Sequence, residues 1–468
     1  MYPGYIQEES MKYKKLAIEN AADLRFGFAP HPVTTSKGLV IGAGAVYPEL
    51  KFTLPPITIN AASMHEIEEH YVSIAQGALE RAVQLGQKGL VLEFETLLEM
   101  TMQPEIGLRI VEILNGICED FRTKEGIIAE IRLTPNDARD FERPPRQRSS
   151  RYLEPMFELF DKGARAGGEM LSIESTGGKE IHDDAIMFCD LQSAAFALTV
   201  LGVRDMHFLW EHIVRIAKGA GRLAGGDTAC GFANTAMMLA EKHFIPRVFA
   251  AVDRAISVVR TLPAYEEGAV GPDKDCGYEG PFMKAIVGIP ISMEGKTAAC
   301  AHMSPVGNIA AACADLWSNE SVQNIKLLSG MAPTVYFEQL TYDTRLMNAA
   351  INNGSASMLQ RLFVESDAYT DPQALVLAPE SVIAISKAVV ESKDYVDAGR
   401  NAGLTALKII GDAHKSGQLV LDERELDYAS RFADDLAAIP DNESAFIEMM
   451  LPRIDREKCL LNEYGIEV

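Results

Sequence analysis

With 468 residues, 47% of them hydrophobic, the chain carries enough apolar material for a large core, which excludes a disordered protein. Its 66 acidic residues against 44 basic ones give a formal net charge of -22, which excludes the electrostatic footprint of a nucleic-acid or anionic-membrane binder and points to small-molecule or protein partners. Seven cysteines, an odd number scattered through so long a chain, do not make a disulfide framework, so a special cysteine here is expected to be catalytic or metal-bound.

Residues 11–24 read as a short charged helix, followed by a Pro- and Gly-rich stretch containing Gly38-Leu39-Val40-Ile41-Gly42-Ala43-Gly44-Ala45. That run fails the dinucleotide-loop pattern, because Tyr47 stands where the third glycine is needed and Pro48 follows where a helix should continue. It reads instead as a wrapping segment or hairpin. Ser63-Met64-His65-Glu66 fits a capping box opening a helix to about residue 85. No apolar run reaches the roughly 18 residues of a transmembrane helix and the first residues lack a signal peptide's apolar core, so a cytoplasmic location is expected.

From Gly89 the pattern turns repetitive. Buried-strand candidates at 89–95, 127–133 and 170–174 alternate with amphipathic stretches at 104–121 and 153–166, the mark of parallel α/β architecture. Eight such units take roughly 250 residues, so a (β/α)8 TIM barrel over residues 85–370 is predicted, with an open doubly wound sheet as the alternative. Residues 1–84 form an N-terminal extension in this reading. Beyond Pro372 the chain reads only as helices, at 379–392, 395–415, 422–438 and 443–450, which makes 371–468 a C-terminal helical segment packed on the barrel or on a partner. The last barrel helix is placed at 341–364, after Thr334-Val335-Tyr336-Phe337.

Glu95, Glu130 and Glu174 fall near the ends of the first three predicted strands, where barrel enzymes hold their chemistry; for Glu95 and Glu130 a plain hydrogen-bonded role at the barrel mouth is the stronger reading. Arg143-Pro144-Pro145-Arg146-Gln147-Arg148-Ser149-Ser150-Arg151 is a basic loop in an acidic chain, either a solvated loop or a contact for an anionic partner or cofactor. Glu174 opens into Ser175-Thr176-Gly177-Gly178-Lys179, followed by His182, Asp183 and Asp184, which are weaker ligand candidates because acidic residues are expected at a helix start.

Gly225-Gly226-Asp227-Thr228-Ala229-Cys230-Gly231-Phe232 delivers a cysteine from a strand tail to the start of a helix whose Ala233, Ala236, Met237 and Ala240 recur at helical spacing. Helix N–H groups favour a thiolate there, although taken alone the stretch reads more readily as a buried structural cysteine. Cys276 stands before a glycine in the tight polar segment Gly271-Pro272-Asp273-Lys274-Asp275-Cys276-Gly277-Tyr278. Ligands on different strand ends, Glu174, Cys230 and Cys276, are one or two β/α units apart, which permits a meeting over one barrel mouth without demonstrating it. Cys300 and His302 form a Cys-x-His pair better read as buried and hydrogen-bonded, and Cys313 reads as core.

The three segments around Glu174, Cys230 and Cys276 together resemble the zinc-site segments of the methanol:corrinoid methyltransferases, the methanol-activating B subunits, and the resemblance spans nearly the whole chain. It implies a TIM barrel, one zinc per chain held by Glu174, Cys230 and Cys276, and methyl transfer from methanol to the Co(I) corrinoid of a partner subunit. The resemblance implies that the corrinoid comes from that corrinoid protein, in a hetero-oligomer, with the basic loop at 143–151 a candidate contact. Two other readings remain: a metal-independent, decarboxylase-like barrel, and a non-catalytic subunit that positions a corrinoid protein.

Overall fold

The computed structural model describes residues 11–54, 57–60, 62–274, 278–295, 306–322, 326–328 and 330–467. The strands are β1 (Phe28–Thr34), β2 (Val40–Ala43), β3 (Tyr47–Thr53), β4 (Gly89–Glu95), β5 (Ile128–Thr134), β6 (Gly168–Ile173), β7 (Leu223–Asp227), β8 (Ser292–Glu294) and β9 (Leu316–Val322). Seven of them form one parallel sheet in the order β7-β6-β5-β4-β3-β9-β8. Residues 270–273 join its two edges. The Val270 and Gly271 N–H groups donate to the Ala224 carbonyl of β7 at 2.9 and 3.3 Å, while Asp273 pairs in parallel with Ile291 beside β8. The eight staves, with helices between them, make the (β/α)8 TIM barrel.

Its first stave, β3, lies within residues 1–84, which the sequence reading gave to an extension. Tyr47-Pro48-Glu49-Leu50-Lys51 does not look like a buried strand, because two of its residues are charged; both Glu49 and Lys51 are nevertheless buried, at 1% and 3% exposure. They are tolerated because the barrel interior supplies partners for them, as the site shows below.

Residues 11–24 do not form the predicted helix. The segment is held by tertiary bonds, Ala17 and Ile18 N–H to the Ala285 carbonyl at 2.9 and 3.0 Å and Lys12 N–H to Glu266 at 2.8 Å, and only Ala21–Asp23 makes a 3-10 turn, capped by Asn20. So short a helix is marginal without packing, and fixed external partners outcompete it. The Ser63 capping box is not made either: its hydroxyl turns back to the Thr58 and Asn60 carbonyls at 2.6 and 3.0 Å. Helix Met64–Gln84 forms through its buried stripe, with Ile67, Tyr71, Ile74, Ala78 and Ala82 against the barrel. Thr334–Phe337 belongs to a helix, not to a segment before one. That helix runs Ala332–Asn352 and is followed by Ala356–Asp367, separated at Gly354, whose φ of +69° ends the first turn series.

The predicted hairpin is real, β1 pairing antiparallel with β2. Its Val33, Leu39 and Ile41 cluster with Val91, Met170 and Leu316, residues near the starts of β4, β6 and β9. The hairpin therefore plugs the N-terminal end of the barrel and leaves the C-terminal end for chemistry.

Helix Arg247–Glu266 is buried from Val248 to Glu266. It is buried all round because it has a barrel on one side and the C-terminal helical segment on the other, and its charged residues Asp253, Arg254 and Arg260 are buried with it. Within that segment, helix Tyr395–Lys415 approaches closely through Gly399 and Gly403, where an added Cβ would stand 2.3 Å from Thr199 Cγ2 and 2.7 Å from Leu436 Cδ1. The tail helices Pro379–Val390, Glu423–Ala437 and Glu443–Met450 match the reading of the sequence to within a turn. Among the described residues no helix is long and apolar enough to cross a membrane.

Candidate active site

Barrel interiors are usually filled by branched aliphatic side chains. Here charged groups occupy them in paired layers. In the middle layer Arg132 Nε donates to Glu49 Oε1 at 2.6 Å, and Arg132 Nη1 donates to Ser172 Oγ at 2.8 Å and to the Pro272 carbonyl at 2.9 Å. Ser292 also donates to Glu49. One layer nearer the C-terminal mouth, Lys274 Nζ lies 2.9 Å from both Glu93 and Glu174, and Lys51 Nζ lies 2.8 Å from Glu95 and 3.2 Å from Glu174. Glu174, just beyond β6, is thus gripped by two ammonium groups. Burial alone would raise its carboxyl, but Lys274 and Lys51 more than offset this and hold it below the usual carboxylate range. Glu95, at the end of β4, goes the other way: burial, with Glu174 and Glu93 nearby, pushes it up to about 7 against the pull of Lys51.

Cys230 follows β7 and begins a π-helical turn, Cys230–Asn234, that runs on into helix Thr235–Glu241. The side chain is half-buried, and Asn234 Nδ2 donates to its Sγ at 3.4 Å. Gly226 makes the approach possible. Its φ is +142°, and a Cβ there would lie 2.5 Å from Tyr265 Oη and 2.6 Å from Asp273 Oδ1. Ala233, Ala236, Met237 and Ala240 are buried as their spacing predicts, and Phe232 is buried with them.

The mouth holds a cavity of about 220 Å³ whose wall includes Glu95, Asp137, Glu174, Thr176, Lys179 and Gly231. Glu174 and the residue next to Cys230 therefore share one cavity. Cys276 lies outside the described residues, as do Cys300 and His302. Among the described residues no group of three or more His, Cys, Asp and Glu could hold a metal ion.

The other candidates have structural settings. Glu130 is not at the mouth. It is the third residue of β5, whose end is Thr134, and it sits beneath the hairpin near Lys37, where burial pushes its carboxyl up to about 7. His182 is fully buried with Nε2 2.8 Å from Asp253, Asp183 pairs with Lys179 at 2.6 Å, and Asp184 pairs with Lys458 at 2.7 Å. Cys313 is core, its thiol pushed up to about 12 by burial. In the basic loop Arg143, Arg146 and Arg151 are exposed, whereas the N–H groups of Arg148 and Ser149 bind the Glu463 carboxylate at 2.8 and 2.9 Å. The C-terminal residues return to the site itself, for Tyr464 Oη accepts the Gly178 N–H at 2.9 Å and donates to Glu180 at 2.7 Å.

The methanol-cobalamin methyltransferase B subunit family matches residues 10–465. The chain belongs to this family. It is 35% identical over 452 residues, 95% of this chain and 97% of the relative, to the methanol–corrinoid protein co-methyltransferase of Methanosarcina barkeri. Its fold superposes on a solved chain of the methanol:cobalamin methyltransferase complex MtaBC from Methanosarcina barkeri with a TM-score of 0.92 at 34% identity, covering 97% of this chain and 99% of that one. Of the two lysines that grip Glu174, Lys274 lies in the segment before Cys276, whereas Lys51 carries no motif and its sequence signal is the charge at every second position in Glu49-Leu50-Lys51.

Proposed function

We propose that the chain activates methanol with one zinc ion, held by Glu174, Cys230 and Cys276, and passes the methyl group to the Co(I) corrinoid of a partner corrinoid protein. The observation that carries this reading is the ionised, doubly paired Glu174 on the same cavity as the Cys230 turn, at the C-terminal mouth of a barrel whose other end is plugged. The donor set fits. One carboxylate and two thiolates are ordinary zinc ligands, and three protein ligands leave the fourth position open, as in catalytic sites.

Methanol donates its methyl group poorly because hydroxide is a poor leaving group. Zinc, when bound, supplies the Lewis acidity that stabilises negative charge on the alcohol oxygen as the C–O bond weakens. The chain's own residues prepare that chemistry. Lys51 and Lys274 keep Glu174 ionised and hold its carboxylate in place. Glu95, raised to about 7 on the cavity wall, is placed to exchange a proton near neutral pH. Asp137 accepts the Thr176 N–H at 2.9 Å and Tyr464 accepts that of Gly178, so the loop after Glu174 is fixed from both sides. The exposed Arg143, Arg146 and Arg151 belong to the proposal as a contact for the corrinoid protein.

Zinc quantification of the purified protein, followed by methyl transfer to cob(I)alamin from methanol, ethanol and methoxylated aromatics, tests the reading. One zinc per chain and transfer from methanol are expected; a fully active, metal-free protein would refute the zinc assignment, and absence of transfer from methanol would refute the activity.

A further inference from the structure

We infer that Asp227, Arg260 and Glu279 act as a positioning frame that sets the separation of the Glu174 strand end and the Cys230 turn; this rests on the metal-site reading above. All three side chains are fully buried. Asp227 Oδ1 accepts two backbone N–H groups, that of Ser175 at 3.2 Å and that of Thr228 at 2.8 Å. One oxygen thereby ties the residue after Glu174 to the residue two before Cys230. Arg260 repeats the tie from the other side. Its Nη2 donates to the Ser175 carbonyl and hydroxyl, both at 2.6 Å, its Nη1 lies 3.5 Å from Asp227, and its guanidinium stands 4.5 Å from the centre of the Phe232 ring, inside the turn that Cys230 begins. Glu279 Oε1 accepts the N–H of Ala229, the residue before Cys230, at 2.5 Å, and Glu279 itself stands three residues after Cys276.

Apart from the ring contact and the Arg260–Asp227 pair, every contact in this set falls on the backbone or hydroxyl of a residue beside Glu174 or Cys230. Charged groups buried this deeply are costly to displace, and a planar guanidinium has little freedom once its fork is engaged. The frame therefore transmits any shift of helix Arg247–Glu266 to both ligand-bearing segments together. Metal ligands need to be held within about 0.5 Å of productive geometry, a precision that loop residues lack without such support.

The test compares zinc-loaded wild type with Arg260→Lys, Glu279→Ala and Glu279→Gln. Three readouts are taken: the rate of zinc release to a chromophoric chelator, the kcat and KM for methanol, and the thermal melt of the zinc-free protein. Arg260→Lys and Glu279→Ala are expected to weaken zinc retention about 10- to 100-fold and to lower kcat more than they raise KM, as loss of a supporting contact does. Glu279→Gln keeps an acceptor for the Ala229 N–H and is expected to stay near wild type. Unchanged zinc release in folded Arg260→Lys overturns the inference, and that variant serves if Glu279→Ala does not fold. Equal acceleration in Glu279→Gln and Glu279→Ala would remove Glu279 from the frame. A wild type that holds no zinc overturns the metal-site reading itself, and the frame with it.

Discussion

Arg132→Met tests the charged barrel interior. Arg132 and Glu49 are 0% and 1% exposed, and the arginine makes bonds to Glu49, Ser172 and Pro272 that the thioether cannot replace. Methionine roughly fills the aliphatic volume but leaves the Glu49 carboxylate buried with Ser292 and no cation. Breaking a buried pair on one side costs about 3–5 kcal/mol, and the stranded Pro272 carbonyl and Ser172 hydroxyl place the cost in the upper part of that range. At about 2.1 cal/mol/K per residue the whole chain has an unfolding entropy of roughly 1 kcal/mol/K, so about 4 kcal/mol lowers Tm by about 4 °C. Circular-dichroism melts of wild type, Arg132→Met and the double variant Glu49→Met/Arg132→Met measure this. The double variant should regain at least half of the loss, because the uncompensated charge is gone. A single variant melting within about 1 °C of wild type, or a double variant melting below the single one, would refute the reasoning.

Glu130 titrates at about 7 in the folded chain and at about 4.3 unfolded, so between those values the unfolded state has shed a proton that the native state keeps, and stability falls as pH rises. Glu130→Gln removes this slope; its stability advantage over wild type should grow from pH 5 to pH 8 by the order of 3 kcal/mol, read from denaturant unfolding at each pH, and parallel pH dependences would count against it. Glu174 is the opposite case: its carboxyl is held low, so the stability of its ion pairs is present above the unfolded value and fades only as pH falls toward the folded one. Glu174→Gln therefore gives up that ion-pair stability near neutral pH and, on the metal-site reading, should lower zinc content as well; an unchanged metal content would reject it as a ligand. Cys230→Ser and Cys276→Ser should each lose metal and methyl transfer together, read by metal analysis beside the cob(I)alamin assay, and full occupancy with full activity in both would sink the ligand set. Tyr464→Phe deletes the acceptor for the Gly178 N–H and should cost about 1–3 kcal/mol in the melt while slowing transfer from methanol.

Local chemistry made much of this protein legible. Strands β4 and β6 were visible as apolar runs, and helices Leu153–Ala166, Tyr395–Lys415 and Glu443–Met450 as helical stretches, because burial on one face leaves a pattern in neighbouring residues. The glycines before Cys230 announced a sharp turn for the same reason: Gly226 has a backbone geometry that other residues rarely adopt. What only the tertiary structure decided has partners distant in the chain. Strand β3 is charged and is a strand because Arg132, 83 positions away, receives Glu49. Residues 11–24 are not the predicted helix because Glu266 takes the N–H of Lys12 and the Ala285 carbonyl those of Ala17 and Ile18. The grip of Lys51 and Lys274 on Glu174, across separations of 123 and 100 residues, is likewise beyond any local pattern, since a carboxylate's ionisation and aim depend on which charges the closed barrel brings within reach.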